Sequence, residues 1–315
     1  MTAPETTYKS IKDLAREEFI LSGTPVCGGC GGLEVLRLAS KVLGERVVFV
    51  NAAGCFTLLA LFPYTPFRGS WLYTTMGSAP AGAQGVRDAL DILLAKGKLR
   101  ADDDLQVVVV AGDGSTYDMA LSATSGTLHR NLDYWYICYD NEAYGNTGMQ
   151  QSSATPYGAR TATSRGGTDG AVAGPMSKKD IFEIWRAHRP PYIATVSPRH
   201  PVDLARKFEK AKQFKGPKLF LAFAPCPTGW LYDPAHTQEY AKSAVECGIF
   251  PLKEAVHGEV KHTYVKQKWK PVEEYLQGQG RFRHLFEPIR RQSVLDTIQH
   301  DVDRYWATVR TGTTA

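Results

Sequence analysis

Short runs of β-branched and aromatic residues alternate with longer amphipathic stretches along most of the chain. Arg46–Asn51, Leu105–Ala111, Tyr134–Tyr139, Tyr192–Ser197 and Lys218–Ala224 read as buried strands, because their apolar character is nearly continuous. Between them, Leu33–Leu43, Ala81–Lys96, Tyr117–His129, Ser177–His188 and Pro201–Phe214 read as helices. This alternation predicts an α/β fold, a mostly parallel sheet with helices on both faces. No internal repeat is visible.

Two segments break the pattern. Asn141–Pro175 is rich in Gly, Ser and Thr and has no period, and its place after a strand end favours a functional loop. From Thr228 the chain turns basic and aromatic, then ends in a predicted helix over Arg291–Arg310. The expected division is a domain over 1–227 and a C-terminal extension over 228–315. The interleaved Tyr, Trp and Phe of that extension suit an arm packed on another subunit better than a solvated tail.

Composition narrows the classes. The 315 residues are 43% hydrophobic and 22% charged, ordinary values for a globular protein. A net charge of +5, without a concentrated basic block before the C-terminal quarter, argues against nucleic acid as a partner. No run approaches the roughly eighteen apolar residues of a membrane span. Met1–Leu21 mixes charges throughout and lacks the apolar centre of a secretory signal, so the expected compartment is the cytoplasm. There thiols stay reduced, and six cysteines point to metal or catalysis before disulfides.

The first constellation lies where the strand ending at Ala111 runs into Gly112-Asp113-Gly114-Ser115. In a parallel sheet this is a carboxyl end, where ligands bind. The glycines let backbone approach a phosphate, the following N–H groups suit an anion, and Asp113 offers a hard carboxylate to a divalent ion. The next strand ends in Asp140-Asn141-Glu142-Ala143-Tyr144-Gly145-Asn146-Thr147-Gly148. Two adjacent parallel strands would then present Asp113 and Asn141 at one edge, as an oxygen-ligand Mg²⁺ site needs.

The second constellation is four cysteines. Cys27 and Cys30 form a Cys-x-x-Cys among glycines, Cys55 follows the first strand, and Cys226 follows the last. Three distant segments thus bring four thiols to the edge that carries Asp113. Four thiolates suit zinc or a [4Fe–4S] cluster, and spacing alone does not separate them. Cys138, inside a strand, and Cys247 read as small buried hydrophobes. The eight histidines show no ligand spacing.

Gly-Asp-Gly followed by an Asn-containing turn resembles the thiamine-diphosphate motif. The whole chain resembles the β subunit of the pyruvate:ferredoxin (2-oxoacid:ferredoxin) oxidoreductases. That resemblance rests on Cys27-x-x-Cys30-Gly31, Ala53-Gly54-Cys55, Gly112–Asp118, Tyr139–Glu142, Asn146–Gln150, Thr155–Gly158, Lys270–Tyr275 and Gln279–Arg283. It implies the diphosphate-binding half of the thiamine-diphosphate fold. It also implies Mg²⁺ on Asp113, the Asn141 side chain and the Ala143 carbonyl. Gly112, Gly114, Ser115, Tyr144 and Thr147 would surround the cofactor, and Asn146 would face the thiazolium and substrate. A [4Fe–4S] cluster would sit on Cys27, Cys30, Cys55 and Cys226.

The implied reaction is oxidative decarboxylation of a 2-oxoacid, with pyruvate first and oxalate, an arylglyoxylate or a branched 2-oxoacid as alternatives. The thiazolium is the electron sink while CO₂ leaves, and zinc cannot take up the electrons. The chain departs from many relatives at Gly23-Thr24, where they carry Gly-His, which loosens any transfer of substrate. No second α/β unit remains to supply the glutamate that activates the aminopyrimidine, and in the family an α subunit provides it. Ferredoxin-like γ and δ subunits and a ferredoxin complete the implied partners. Competing readings are a non-redox thiamine-diphosphate decarboxylase or carboligase subunit, and a zinc-stapled binding module.

Overall fold

The computed structural model describes residues 7–61, 63–164 and 173–311. Of the Gly-, Ser- and Thr-rich stretch, residues 165–172 lie outside that set. In chain order the strands are β1 (Val47–Ala52), β2 (Ser70–Thr74), β3 (Gln106–Gly112), β4 (Trp135–Asp140), β5 (Tyr192–Val196), β6 (Lys218–Phe223), β7 (Lys253–Val256) and β8 (Glu259–His262). They form one sheet in the order β2-β1-β3-β4-β6-β5-β7-β8. The first six are parallel, while β7 and β8 are antiparallel.

Helices cover both faces, which explains why the central strands are nearly continuously apolar. In β3, Val108 and Val110 face α1 (Gly31–Leu43) and α5 (Pro201–Ala211) across one core. Val107, Val109 and Ala111 face the other core, shared with α2 (Ala79–Ala95), α3 (Leu121–His129) and α4 (Ile181–Ala187). Helix α1 buries Val35, Leu36, Ala39, Val42 and Leu43 at helical spacing. It stops at Gly44, whose φ of +82° suits glycine and whose N–H donates to Ser40 O at 2.8 Å. Cys138 and Cys247 are buried, as their sequence contexts suggested.

The residues from Thr228 onward fold back on the chain's own sheet. They supply β7 and β8 and four α-helices: α6 (Pro227–Trp230), α7 (Thr237–Glu246), α8 (Val272–Leu276) and α9 (Gln292–Thr311). Their third core joins Phe223 and Ala159 to Trp230, Tyr275, Phe282 and Trp306. No described helix is long and apolar enough to cross a membrane.

Candidate functional site

The sheet order puts the carboxyl ends of four neighbouring parallel strands side by side. Reading across β1, β3, β4 and β6, they lead into Cys55, Asp113, Asn141 and Cys226. Paired positions confirm the alignment, with Gly112 beside Tyr139 and Asp140 beside Phe223.

Asp113 is fully buried at the start of a π-helical turn over Gly114–Met119, closed by Ala120 N–H to Ser115 O at 2.7 Å. Such wide turns cluster at functional positions. Thr116 anchors the turn to Gly112 O at 2.8 Å, and Ser115 bonds Met76 O. A side chain at Gly114 would collide with the Tyr144 ring, whose hydroxyl donates to Gly114 O at 3.2 Å. The glycine is therefore what lets the Tyr144 loop close over the strand end.

Three oxygen-bearing groups meet here. The inward terminal atom of the Asn141 amide lies 2.8 Å from Asp113 Oδ1 and 2.7 Å from Ala143 O. With nitrogen inward it donates to both. With oxygen inward, three oxygens face one point, a donor set suited to a hard cation. Ser152 Oγ bonds the second Asp113 oxygen. Burial pushes the Asp113 carboxyl well above its ordinary range, and the neighbouring Asp140 adds to this.

Behind the oxygens runs a buried charge network that the sequence did not reveal. Lys178 Nζ sits 2.7 Å from Asp140 and 2.9 Å from Glu142, and Arg281 Nη2 reaches Glu142 at 2.7 Å. Tyr117 donates to Asp140 at 2.8 Å. Burial opposes ionisation of Glu142, but Lys178 and Arg281 together hold its pKa below the usual value. Glu142 adopts a φ of +65°, and its pairing with both cations holds the bend between Asn141 and Ala143. Arg281 stacks 3.7 Å from the Trp230 ring, whose Nε1 donates to Asn141 O at 2.9 Å. Three carboxyls thus face two cations, and the uncompensated one is Asp113.

The cysteines approach from three directions. Cys30 stands at the start of α1 and Cys226 caps α6. Gly31 N–H donates to Pro225 O at 3.1 Å, and a Cβ on Gly31 would lie 2.6 Å from the proline ring. This close approach ties the first cysteine pair to Cys226. Burial first, and then repulsion from Cys226, push Cys30 to about 11 and Cys55 to about 12. Opposing this, backbone N–H groups of Leu33 and Gly32 favour an anionic Cys30, and that of Gly229, 3.4 Å away, an anionic Cys226. Thiols crowded in this way become thiolates when a bound cation supplies the missing charge. As they stand, no three His, Cys, Asp or Glu side chains among the described residues are grouped to share one metal ion.

Of the remaining sequence-derived candidates, Asn146 and Thr147 are exposed at the tip of the turn bridged by Tyr144 and Gln150. Thr147 bonds Tyr144 O at 3.4 Å and also Gln150. Neither is drawn into the buried oxygen cluster.

A family profile described as "Thiamine pyrophosphate enzyme, C-terminal TPP binding domain" matches residues 52–221. The chain is similar to the pyruvate synthase subunit PorB of Methanocaldococcus jannaschii, 43% identical over 87% of this chain and 92% of the relative. It is 40% identical to the ketoisovalerate oxidoreductase subunit VorB of Pyrococcus abyssi, over 90% of this chain and 91% of the relative. In fold it is similar to a 2-oxoglutarate:ferredoxin oxidoreductase from Magnetococcus marinus, at 21% identity and a TM-score of 0.53. That match covers 76% of this chain and 83% of the neighbour.

Proposed function

This chain belongs to the family of thiamine-diphosphate-binding subunits of 2-oxoacid:ferredoxin oxidoreductases, and we propose that it carries both the thiamine diphosphate and a [4Fe–4S] cluster at one sheet edge. The supporting observation is the row of four strand ends that sets Cys55, Asp113, Asn141 and Cys226 side by side.

Asp113, the Asn141 side chain and the Ala143 carbonyl would hold Mg²⁺, which binds the diphosphate. The arrangement fits, since an unneutralised buried carboxyl facing two further oxygens is a site that a divalent cation corrects. Lys178 and Arg281 keep Glu142 ionised and its loop bent, so the Asn141 and Ala143 oxygens stay converged. Gly112, Gly114 and Ser115 line the strand end, Tyr144 closes over it, and Thr147 and Asn146 stand beyond, Asn146 toward the substrate. Bound thiamine diphosphate supplies the electron sink for loss of CO₂ from a 2-oxoacid. Cys27, Cys30, Cys55 and Cys226 would hold the cluster, with the amides of Leu33, Gly32 and Gly229 favouring the thiolate state.

The substrate we favour is pyruvate, with branched 2-oxoacids next, because similar relatives are named for pyruvate and for ketoisovalerate. The carboxylate that activates the aminopyrimidine would come from a separate α subunit, and electrons would leave through ferredoxin-like subunits to a ferredoxin in the cytoplasm. The first test is anaerobic purification, followed by iron, zinc and thiamine diphosphate per chain and 2-oxoacid-dependent dye reduction. Iron with bound cofactor is expected. Asp113→Asn should lose the cofactor and keep the iron, while Cys226→Ser should do the reverse. Zinc in place of iron, or dye reduction untouched by Cys226→Ser, would overturn the reading.

A further inference from the structure

Asn141 stands between the two ligand sets. One end of its amide faces Asp113 Oδ1 and Ala143 O, at 2.8 and 2.7 Å. The other end faces Cys55, and with nitrogen on that side Nδ2 lies 3.8 Å from Sγ. An amide is rigid and has one acceptor end and one donor end, so the two contacts are tied together. Oxygen toward Asp113 obliges an N–H toward the sulfur. Without a cation, three facing oxygens are unfavourable, and the reverse orientation satisfies Asp113 and Ala143 with donated hydrogens.

The surroundings preserve this choice. Trp230 Nε1 pins the Asn141 carbonyl at 2.9 Å, which leaves side-chain rotation as the available motion. Gly145 lies against the amide–sulfur contact. A Cβ there would be 2.8 Å from Asn141 Nδ2 and 3.1 Å from Cys55 Sγ. The contact exists because this position has no side chain.

We propose that Asn141 is a positioning residue shared by the two sites, its amide turning so that cation binding at Asp113 places an N–H on the Cys55 sulfur. This rests on the reading of Cys55 as a cluster ligand. An N–H donated to a ligating sulfur stabilises the more negative, reduced cluster and raises its potential. An amide oxygen facing that sulfur does the opposite. The cluster therefore becomes a better electron acceptor only once the cation and its diphosphate are in place.

The test uses the anaerobically purified protein with its accompanying subunits, stripped of Mg²⁺ and thiamine diphosphate by chelation and then reconstituted with both. The potential is followed by electron paramagnetic resonance, and exchangeable protons at the reduced cluster by electron–nuclear double resonance. Reconstitution should favour the reduced cluster by about tenfold, about 59 mV for one electron. It should also bring in one deuterium-exchangeable proton coupling. Gly145→Ala fills the contact, and Asn141→Asp keeps an oxygen for the cation but has no N–H. Both should lose the coupling and the rise in potential. An equal rise in wild type and both variants would mean that the charge of the bound cofactor acts alone, and would overturn the proposal. A protein without iron or without bound cofactor would instead overturn the functional reading beneath it.

Discussion

Replacing Arg281 with methionine removes the guanidinium and keeps most of the side-chain volume. Arg281 is 3% exposed and its partner Glu142 is 8% exposed, so neither charge is relieved by water when the other is lost. Breaking one side of a buried pair costs about 3–5 kcal/mol, because the remaining charge is stranded. Lys178 still faces Glu142 and puts the expected loss at the lower end, about 3 kcal/mol. For 315 residues the unfolding entropy is about 0.7 kcal/mol per degree, so the melting midpoint should fall by about 4–5 °C. Arg290→Met is the control: it breaks the ion pair with Glu273, whose side chains are 45% and 36% exposed, so water screens the pair and its loss should barely register. Circular-dichroism melts of both variants, and of Glu142→Gln with and without Arg281→Met, complete the cycle. A loss in Arg281→Met no larger than in Arg290→Met, or purely additive effects with Glu142→Gln, would refute the account of the network.

Gly31→Ala should push the Cys27–Cys30 turn away from Pro225, since the added Cβ meets the rigid proline ring and its backbone rather than a flexible side-chain tip. Iron content should fall while the melting midpoint moves little, and full iron occupancy would contradict the convergence of the cysteines. Burial, then Lys253 and Lys207, lower His262 to about 4 from its ordinary 6.5, so the folded state favours the neutral ring. The stability it contributes is complete above about pH 6.5 and is lost as pH falls toward 4. His262→Gln should flatten that part of the denaturant midpoint profile, and unchanged curvature would count against it. The chain purified alone should show no 2-oxoacid decarboxylation, because the activating carboxylate is assigned to another subunit. Measurable turnover would refute that assignment.

Most of the parallel sheet was legible, and with it the shared edge of Cys55, Asp113, Asn141 and Cys226, because buried central strands and glycine turns leave strong local signals. Strand β2 was not, since Ser70–Thr74 is a largely exposed edge without clean alternation. Strands β7 and β8 are short and charged, and their hairpin turns on His257 and Gly258, with φ of 49° and 90°. That His-Gly pair was the missed cue, a two-residue turn with both φ positive. The predicted helix over Tyr117–His129 begins instead with the π turn, which starts at Gly114. Lys178 and Arg281 could not be paired with Glu142 from sequence, because neither has a spacing rule that relates it to the loop. Only Gln279–Arg283, noted for its family likeness, hinted that the C-terminal segment reaches the site.

The candidate site is drawn together across almost the entire chain. Thr237 holds the glycine beside Cys30 from 208 positions away, and Trp230 holds Asn141 from 89. During synthesis on the ribosome the amino-terminal cysteine pair emerges long before Cys226, and the Asp113 loop before the Arg281 that braces it. On the proposed reading, cofactor insertion would wait until nearly all of the chain has been made. The early-made cysteines would stay bare thiols in the meantime, open to oxidation before any bound group protects them.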